Sequence, residues 1–287
     1  MEGAYYNGQY LNRLERLGYS QAEIDNKLES TFEEMFYGPE GVRLCHCAGP
    51  DMMYIEDTGN HDVRTEGMSY AMMFCVQMNR QKEFDCLWRW VVTHMYLTEG
   101  ENAGYFAWSC HTDGSKNSDG PAPDGEEFFA MSLFFAANRW GSGEGVLDYA
   151  SWARRILHAC VHKGEEAGSG FPMWNPENHL IKFIPNCEFT DPSYHLPHFY
   201  ELFALWSDEC DRPFWHAAAA ASRQYLRKAC HARTGLSAEY AEYDGRPHRG
   251  DQPDRHDWFF SDAYRTLGNI ALDAQWFGDK DGWAQET

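Results

Sequence analysis

The chain of 287 residues carries 24 basic against 44 acidic side chains, a formal charge of −20 at pH 7, with 43 % hydrophobic and 16 % aromatic residues. So acidic a surface repels phosphate backbones and anionic lipid, which excludes nucleic acid and membrane surfaces as partners and leaves uncharged ligands admissible. No stretch is long and apolar enough to span a bilayer, and MEGAYYNGQYLNRLERLGYS at the N-terminus lacks the basic-then-apolar layout of an export signal. The nine scattered cysteines then read as reduced core thiols of a cytoplasmic protein. The many aromatics read first as core, and second as the flat surfaces on which pyranose rings stack.

Helical period recurs along the chain and strand alternation is scarce, which predicts an all-α protein. A first helix opens at Ser20, where Glu23 completes a capping box, and sets Ile24, Leu28, Phe32 and Met35 on one face. A second starts near Thr65 with Met68, Met72, Cys75 and Val76, and a third spans Phe84 to about Met95. A fourth opens at Asp124, with Glu127 at the capping-box position and Phe128, Met131, Phe134 and Phe135 following. The fifth carries Tyr149, Trp152, Ile156 and Cys160. After a Gly168-Ser169-Gly170 loop and the turn Asp191-Pro192-Ser193-Tyr194, Pro197 fits the first turn of a sixth helix bearing Phe199, Leu202, Phe203 and Trp206. The seventh runs from Asp211 through Phe214, Ala218, Ala221 and Tyr225 to Ala229, and the eighth opens at Ser261-Asp262 with Leu267, Ile270, Ala271 and Ala274 on its face.

Helices beginning near Glu66, Asp124, Tyr194 and Asp262 alternate with helices beginning near Ser20, Phe84, Tyr149 and Asp211. The first set recurs at about 60 residues, the length of two helices and two loops. That spacing predicts a toroid of helical hairpins whose inner helices point their N-termini into a common cleft. Adjacent Cys45-His46-Cys47 lacks the spacing of zinc motifs and has no second pair, so no metal site is predicted. Met52, Met53, Met72 and Met73 read as core. His195 and His198 flank the Tyr194 turn and read as hydrogen-bonded histidines.

Glu66, Asp124 and Asp262 each stand at the mouth of a predicted inner helix. Each has a structural explanation: Asp124 and Asp262 as helix N-caps, Glu66 as an acidic first-turn residue favoured by the helix dipole. Their company favours chemistry. Gly67 removes a side chain beside Glu66, the stiff Gly-Pro-Ala-Pro-Asp-Gly turn aims Asp124, and Arg265 lies one helical turn beyond Asp262, where it can hold a carboxylate ionised. A helix N-terminus favours an ionised Glu66; converging carboxylates would have to raise its pKa for it to serve as an acid.

Arg64-Thr65-Glu66-Gly67-Met68-Ser69-Tyr70-Ala71-Met72-Met73 resembles the acid motif of glycoside hydrolase family 8, and Ser261-Asp262-Ala263-Tyr264-Arg265 resembles the motif of its general base. GYFAWSC at 104–110, GPAPDGEEFFA at 120–130 and DPSYHLPHFYELF at 191–203 are similar to its reducing-end xylose-releasing exo-oligoxylanases, and the likeness runs from EGAYY to the last residues. The resemblance implies an (α/α)6 barrel formed by one catalytic domain over residues 1–287, without metal or cofactor. It implies inverting hydrolysis of β-1,4-xylosidic bonds in short xylo-oligosaccharides, with xylose released from the reducing end. By the same resemblance Glu66 protonates the glycosidic oxygen, Asp262 activates water, Asp124 holds the hydroxyls of the −1 sugar, Tyr194 and Arg265 sit beside water and base, and Trp108 and Tyr105 stack on sugar rings. The alternatives are an endo-acting family 8 glycanase on xylan, cellulose, chitosan or mixed-linkage glucan, and a non-catalytic sugar-binding remnant. About eight of a barrel's twelve helices are found before the chain stops at Thr287, so the barrel is expected to be incomplete at its C-terminal end. The loop that closes the cleft behind the reducing-end sugar in the exo-acting subgroup is then missing, and the open end is expected to expose apolar faces and favour association.

Overall fold

The computed structural model describes residues 2–165, 170–250 and 255–287. The expected Gly168-Ser169-Gly170 loop therefore lies, apart from Gly170, outside the described residues. Two one-turn helices, α1 (Ala4–Asn7) and α2 (Arg13–Arg16), lead into α3 (Gln21–Tyr37). Four long helices follow that begin at the cleft: α4 (Thr65–Gln77), α6 (Pro123–Trp140), α8 (Pro197–Trp206) and α10 (Arg265–Phe277). Between them run α5 (Gln81–Trp90, continued by a π-helical turn over Val91–Met95), α7 (Tyr149–His162) and α9 (Arg212–Ala229); a last turn, α11, spans Trp283–Glu286.

The helices form where the apolar spacing places them. On α7, Tyr149, Trp152, Ala153, Ile156, Leu157 and Cys160 are buried, a stripe at three- and four-residue intervals. The capping box of α3 is present: the Ser20 hydroxyl accepts from the Glu23 amide, and the Glu23 carboxylate accepts from the Ser20 amide at 2.8 Å. Leu28, expected on the inner stripe of α3, is instead 55 % exposed, and Ala271 on α10 also faces out. Four three-residue strands, too short to show alternation in the sequence, make two antiparallel pairs: β1 (Cys45–Cys47) with β2 (Met53–Ile55), and β3 (Asp62–Arg64) with β4 (Ser109–His111).

Helices α4, α6, α8 and α10 lie side by side in an inner row, and α5, α7 and α9 return outside them as hairpin partners of α4, α6 and α8. This is the architecture of an (α/α)6 barrel, of which the described residues build an arc of four inner helices. Large aromatics seal the two layers. Trp88 of α5 meets Trp152 of α7 edge-on at 5.5 Å, and Trp174 meets Trp215 of α9 edge-on at 4.9 Å. Across the later hairpins, Arg223 of α9 binds Asp273 of α10 through two bonds of 2.7–2.8 Å and Glu201 of α8 through a third. The inner face stays partly open: Phe74 of α4 is 45 % exposed and Leu205 of α8 is 44 % exposed.

The fourth helix departs from its expected cap. Ala122 is the N-cap of α6 and makes no side-chain cap bond, and Pro123 occupies the first turn. Asp124 is thus inside the helix with its carboxylate free to turn toward another element. Glu127, the expected capping-box partner, is fully buried and accepts a hydrogen bond from the Tyr200 hydroxyl.

Two inner helices touch at their first turns through Gly125. A Cβ at Gly125 would stand 2.5 Å from the Thr65 Cβ and 2.6 Å from its hydroxyl, so only glycine admits this approach of α6 to α4. Gly125→Ala is therefore expected to destabilise the fold by about 1–3 kcal/mol through overpacking and to separate Glu66 from Asp124. The check is thermal unfolding together with kcat/KM; a wild-type Tm with wild-type turnover would show that the close approach is dispensable.

Candidate active site

β3 runs directly into α4, and its pairing with β4 fixes where that helix begins. The Thr65 amide donates to the Trp108 carbonyl at 3.0 Å, which sets Glu66 in the first turn of α4 beside Trp108. Trp108 is partly exposed, with the Arg64 guanidinium 5.1 Å from its ring. Arg64 is itself held by Asp57 at 3.1 Å and Asp62 at 3.0 Å. Gly67 does not face the cleft: a Cβ there would meet the Ile55 side chain at 3.4 Å, an ordinary contact, so its expected role of clearing space for a sugar ring is not supported.

Asp124 is 3 % exposed. Its Oδ2 accepts from Arg265 Nη1 at 2.8 Å, and its Oδ1 accepts from the Gly125 amide at 3.0 Å. Arg265 extends its other terminal nitrogen, Nη2, to Asp262 Oδ1, also at 2.8 Å. One guanidinium thus bridges carboxylates from the first turn of α6 and from the 3-10 turn Ser261–Tyr264 that opens α10. Ser261 sits at φ +40°, a left-handed conformation that costs a non-glycine residue energy, and its hydroxyl bonds to Glu239. That strained, anchored turn aims Asp262 at the cleft. Tyr194 closes a second 3-10 turn, Pro192–Tyr194, whose backbone is fixed by Asp191 accepting from the Ser193 amide at 2.7 Å and by Asn269 of α10 donating to the Ser193 carbonyl at 2.8 Å.

Glu66, Asp124, Asp262, Arg265 and Tyr194 therefore converge, and Trp108 stands beside them. Tyr105 does not. It is fully buried and its hydroxyl donates to the carbonyls of Ala159 and Phe171 at 3.1 and 2.9 Å, so it packs in the core between loop and α7 and has no face for a sugar. Both residues lie in one short aromatic segment, and only the tertiary packing separates wall from core. The reading of His195 and His198 as hydrogen-bonded histidines holds for His195, which bonds to Ser222 and Thr190 at 2.9 and 3.0 Å; His198 is equally buried, but its Nδ1 has no partner among the described residues.

Tyr70 also belongs to the cluster. It lies one turn beyond Glu66 on the same face of α4, and the Arg265 guanidinium sits 5.9 Å from its ring. The i, i+4 spacing from Glu66 is the signal that could have found it. One turn below the charged layer is a cavity of about 370 Å³ between the inner helices, lined by Tyr70, Phe74, Glu127, Phe128 and Asn269 and reached by Asp124 and Arg265.

Burial raises the Glu66 carboxyl above its ordinary 4.5; the helix amide and the charges of Arg265 and Arg64 oppose this, and Asp262 adds to the rise. Burial, then the charge on Glu66, push Asp124 up as well, and the Arg265 guanidinium bonded to it pulls the other way. The two titrate as a pair. Asp124 accepts a charge-assisted bond from Arg265 and Glu66 makes no ion pair among the described residues, so the shared proton belongs on Glu66. With Glu66 neutral, the cluster of three carboxyls and one guanidinium carries one net negative charge instead of two. Tyr194 is likewise kept as a phenol by burial and by Asp124, Asp191 and Glu66, which leaves its O–H as a donor. A neutral carboxyl facing carboxylates held by one arginine is the set that acid–base hydrolysis needs.

The family described as glycosyl hydrolases family 8 matches residues 19–286. The chain is 56 % identical over 286 residues to a reducing end xylose-releasing exo-oligoxylanase of Halalkalibacterium halodurans, covering 99 % of this chain and 73 % of that one. It is 57 % identical to the reducing-end xylose-releasing exo-oligoxylanase Rex8A of Paenibacillus barcinonensis, over 98 % of this chain and 74 % of that one. The solved structure of Rex8A complexed with xylose superposes with a TM-score of 0.96 at 56 % identity, covering 99 % of this chain and 75 % of that one. The chain spans about three quarters of the length of these relatives.

The raised Glu66 pKa has a kinetic signature. As a general acid Glu66 would work only while protonated, so in that role kcat/KM is expected to fall as pH rises through its pKa, and the fall should lie above the ordinary glutamic acid range around 4.5. A pH–rate profile on a xylo-oligosaccharide checks it; activity that climbs steadily into alkaline pH would contradict a protonated Glu66.

Proposed function

The chain belongs to glycosyl hydrolase family 8, a family of inverting glycoside hydrolases, and from that premise we propose that it hydrolyses β-1,4-xylosidic bonds in short xylo-oligosaccharides and releases xylose from the reducing end. The observation that carries the substrate is the 56–57 % identity to exo-oligoxylanases over 98–99 % of this chain. The roles of the residues rest on the resemblance of their motifs to those of the family, and the convergence of the side chains in the cleft supports them.

Glu66, protonated in the first turn of α4, donates its proton to the glycosidic oxygen as the C1–O bond breaks. Asp262 accepts a proton from water as that water attacks C1 from the opposite face, so the anomeric configuration inverts in one displacement. After turnover Glu66 lacks a proton and Asp262 has gained one, and exchange with solvent resets both. Asp124, kept ionised by Arg265, accepts hydrogen bonds from hydroxyls of the sugar at the cleavage site and faces the positive charge that develops on its ring. Arg265 orients Asp124 and Asp262 together. The Tyr194 hydroxyl stands beside the attacking water, and Trp108 offers its ring to a sugar face.

Residues 1–287 act as one catalytic domain in this reading. The cytoplasmic placement is supported by nine free cysteines, six of them buried, and among the described residues no helix is long and apolar enough to cross a membrane. The partly exposed inner faces at Phe74 and Leu205 supply an apolar surface for association between chains.

Glu66→Gln and Asp262→Asn each keep the shape of the side chain and remove its acid–base function. Each is expected to lower kcat on xylotriose by about 10²–10⁴-fold while Kd for the trisaccharide stays within a few-fold of wild type by calorimetry. A variant that keeps turnover within a few-fold of wild type would remove that residue from the role given to it.

A further inference from the structure

On the outer layer, on α7 and at the start of α9, three side chains converge that the hydrolytic chemistry does not use. His158 and His162 are one turn apart on α7, their rings 4.5 Å from each other. Asp211, the residue before α9, is 3 % exposed and turns its carboxylate to both: Oδ1 lies 2.7 Å from His162 Nε2 and Oδ2 lies 3.7 Å from His158 Nδ1. One donor atom from each of the three falls within 4.8 Å of the others.

Asp211 stands at the N-cap position of α9 yet makes no cap bond to that helix. An aspartate there ordinarily satisfies its own helix's first amides; this one gives its carboxylate to the histidines of the neighbouring hairpin instead. The His162–Asp211 contact alone would make an ion pair at the end of α7. The turn of His158 toward the second carboxylate oxygen is not needed for that pair. It is what a shared ligand requires.

We infer that His158, His162 and Asp211 form a binding site for a divalent cation of the zinc class, clipping α7 to α9. Two ligand atoms around tetrahedral zinc stand about 3.3–3.7 Å apart when the metal bonds are about 2.0–2.3 Å. The separation of His158 Nδ1 from Asp211 Oδ2, 3.7 Å, already matches, and the 2.7 Å contact of His162 with Oδ1 has to open by about 0.6–1.0 Å when a metal replaces its proton. These three donors leave the fourth position open to solvent. Two imidazoles beside a carboxylate select zinc over magnesium or calcium, which take oxygen donors. His162 Nδ1 lies 2.9 Å from Glu165, which orients the ring as the partner behind a metal-bound histidine does. The chain's strongly acidic surface adds a general attraction for cations.

The test is calorimetric titration of the chelator-treated full chain with zinc chloride alone, with thermal unfolding in zinc and in chelator read alongside. One saturable site per chain is expected, with Tm raised by zinc. His158→Gln and His162→Gln are each expected to weaken that site at least tenfold and to remove the zinc-dependent rise in Tm. His158 has a side chain 56 % exposed, so its variant keeps the test open should His162→Gln fold poorly. Absence of a saturable site, or zinc binding unchanged in the His158 variant, overturns the assignment.

Discussion

A single guanidinium organises the cleft. Arg265 reaches from the start of α10 to Asp124, 141 residues earlier on α6, and to Asp262 on its own turn, each at 2.8 Å. Two carboxylates so close together could not both stay ionised in a buried place without it. The bonds to Arg265 favour both as anions, and Glu66, raised by burial and by Asp262 and without such a bond, is the group left to hold a proton. The division of labour among carboxyls of similar intrinsic acidity is thus made by one cation and by where the helices let it reach.

That reach depends on the packing of the inner helices. Gly125 against Thr65 brings the first turns of α6 and α4 together, while the strained Ser261 and the Asp191-anchored turn before α8 deliver Asp262 and Tyr194 from two other helices. The position of Glu66 in a helix's first turn works against its staying protonated, because the dipole there favours the anion. Burial and the charge of Asp262 act in the opposite sense and raise its pKa. The site is therefore a balance of opposed effects, set by where α4 starts, which the pairing of β3 with β4 fixes.

The long helices and their alternation were legible because a buried stripe repeats every three to four residues, and α3 announced its start with a true capping box. Signals shared by two structures were read less well. Asp124 and Glu127 have the spacing of a capping box, yet Asp124 is drawn away by Arg265 and Glu127 is buried against Tyr200; no local pattern contains either partner. Tyr105 and Trp108 are three residues apart and equally suited to a sugar, and only the packing of α7 over the loop buries the first. Three-residue strands show no period to read. His158 and His162 have a metal-ligand spacing in the sequence, but Asp211 lies 49 residues from His162 and gave no sign of joining them.

A single displacement at the bond next to the reducing-end xylose is tested most directly by proton NMR of xylotriose labelled with carbon-13 at its reducing-end C1. Spectra taken within minutes of adding the chain, before anomers equilibrate, are predicted to show the label in free xylose and the new xylobiose end as the α-anomer. Xylobiose appearing first as the β-anomer would mean retention and contradict the pairing of Glu66 with Asp262; label retained in xylobiose would mean that the xylose leaves from the other end.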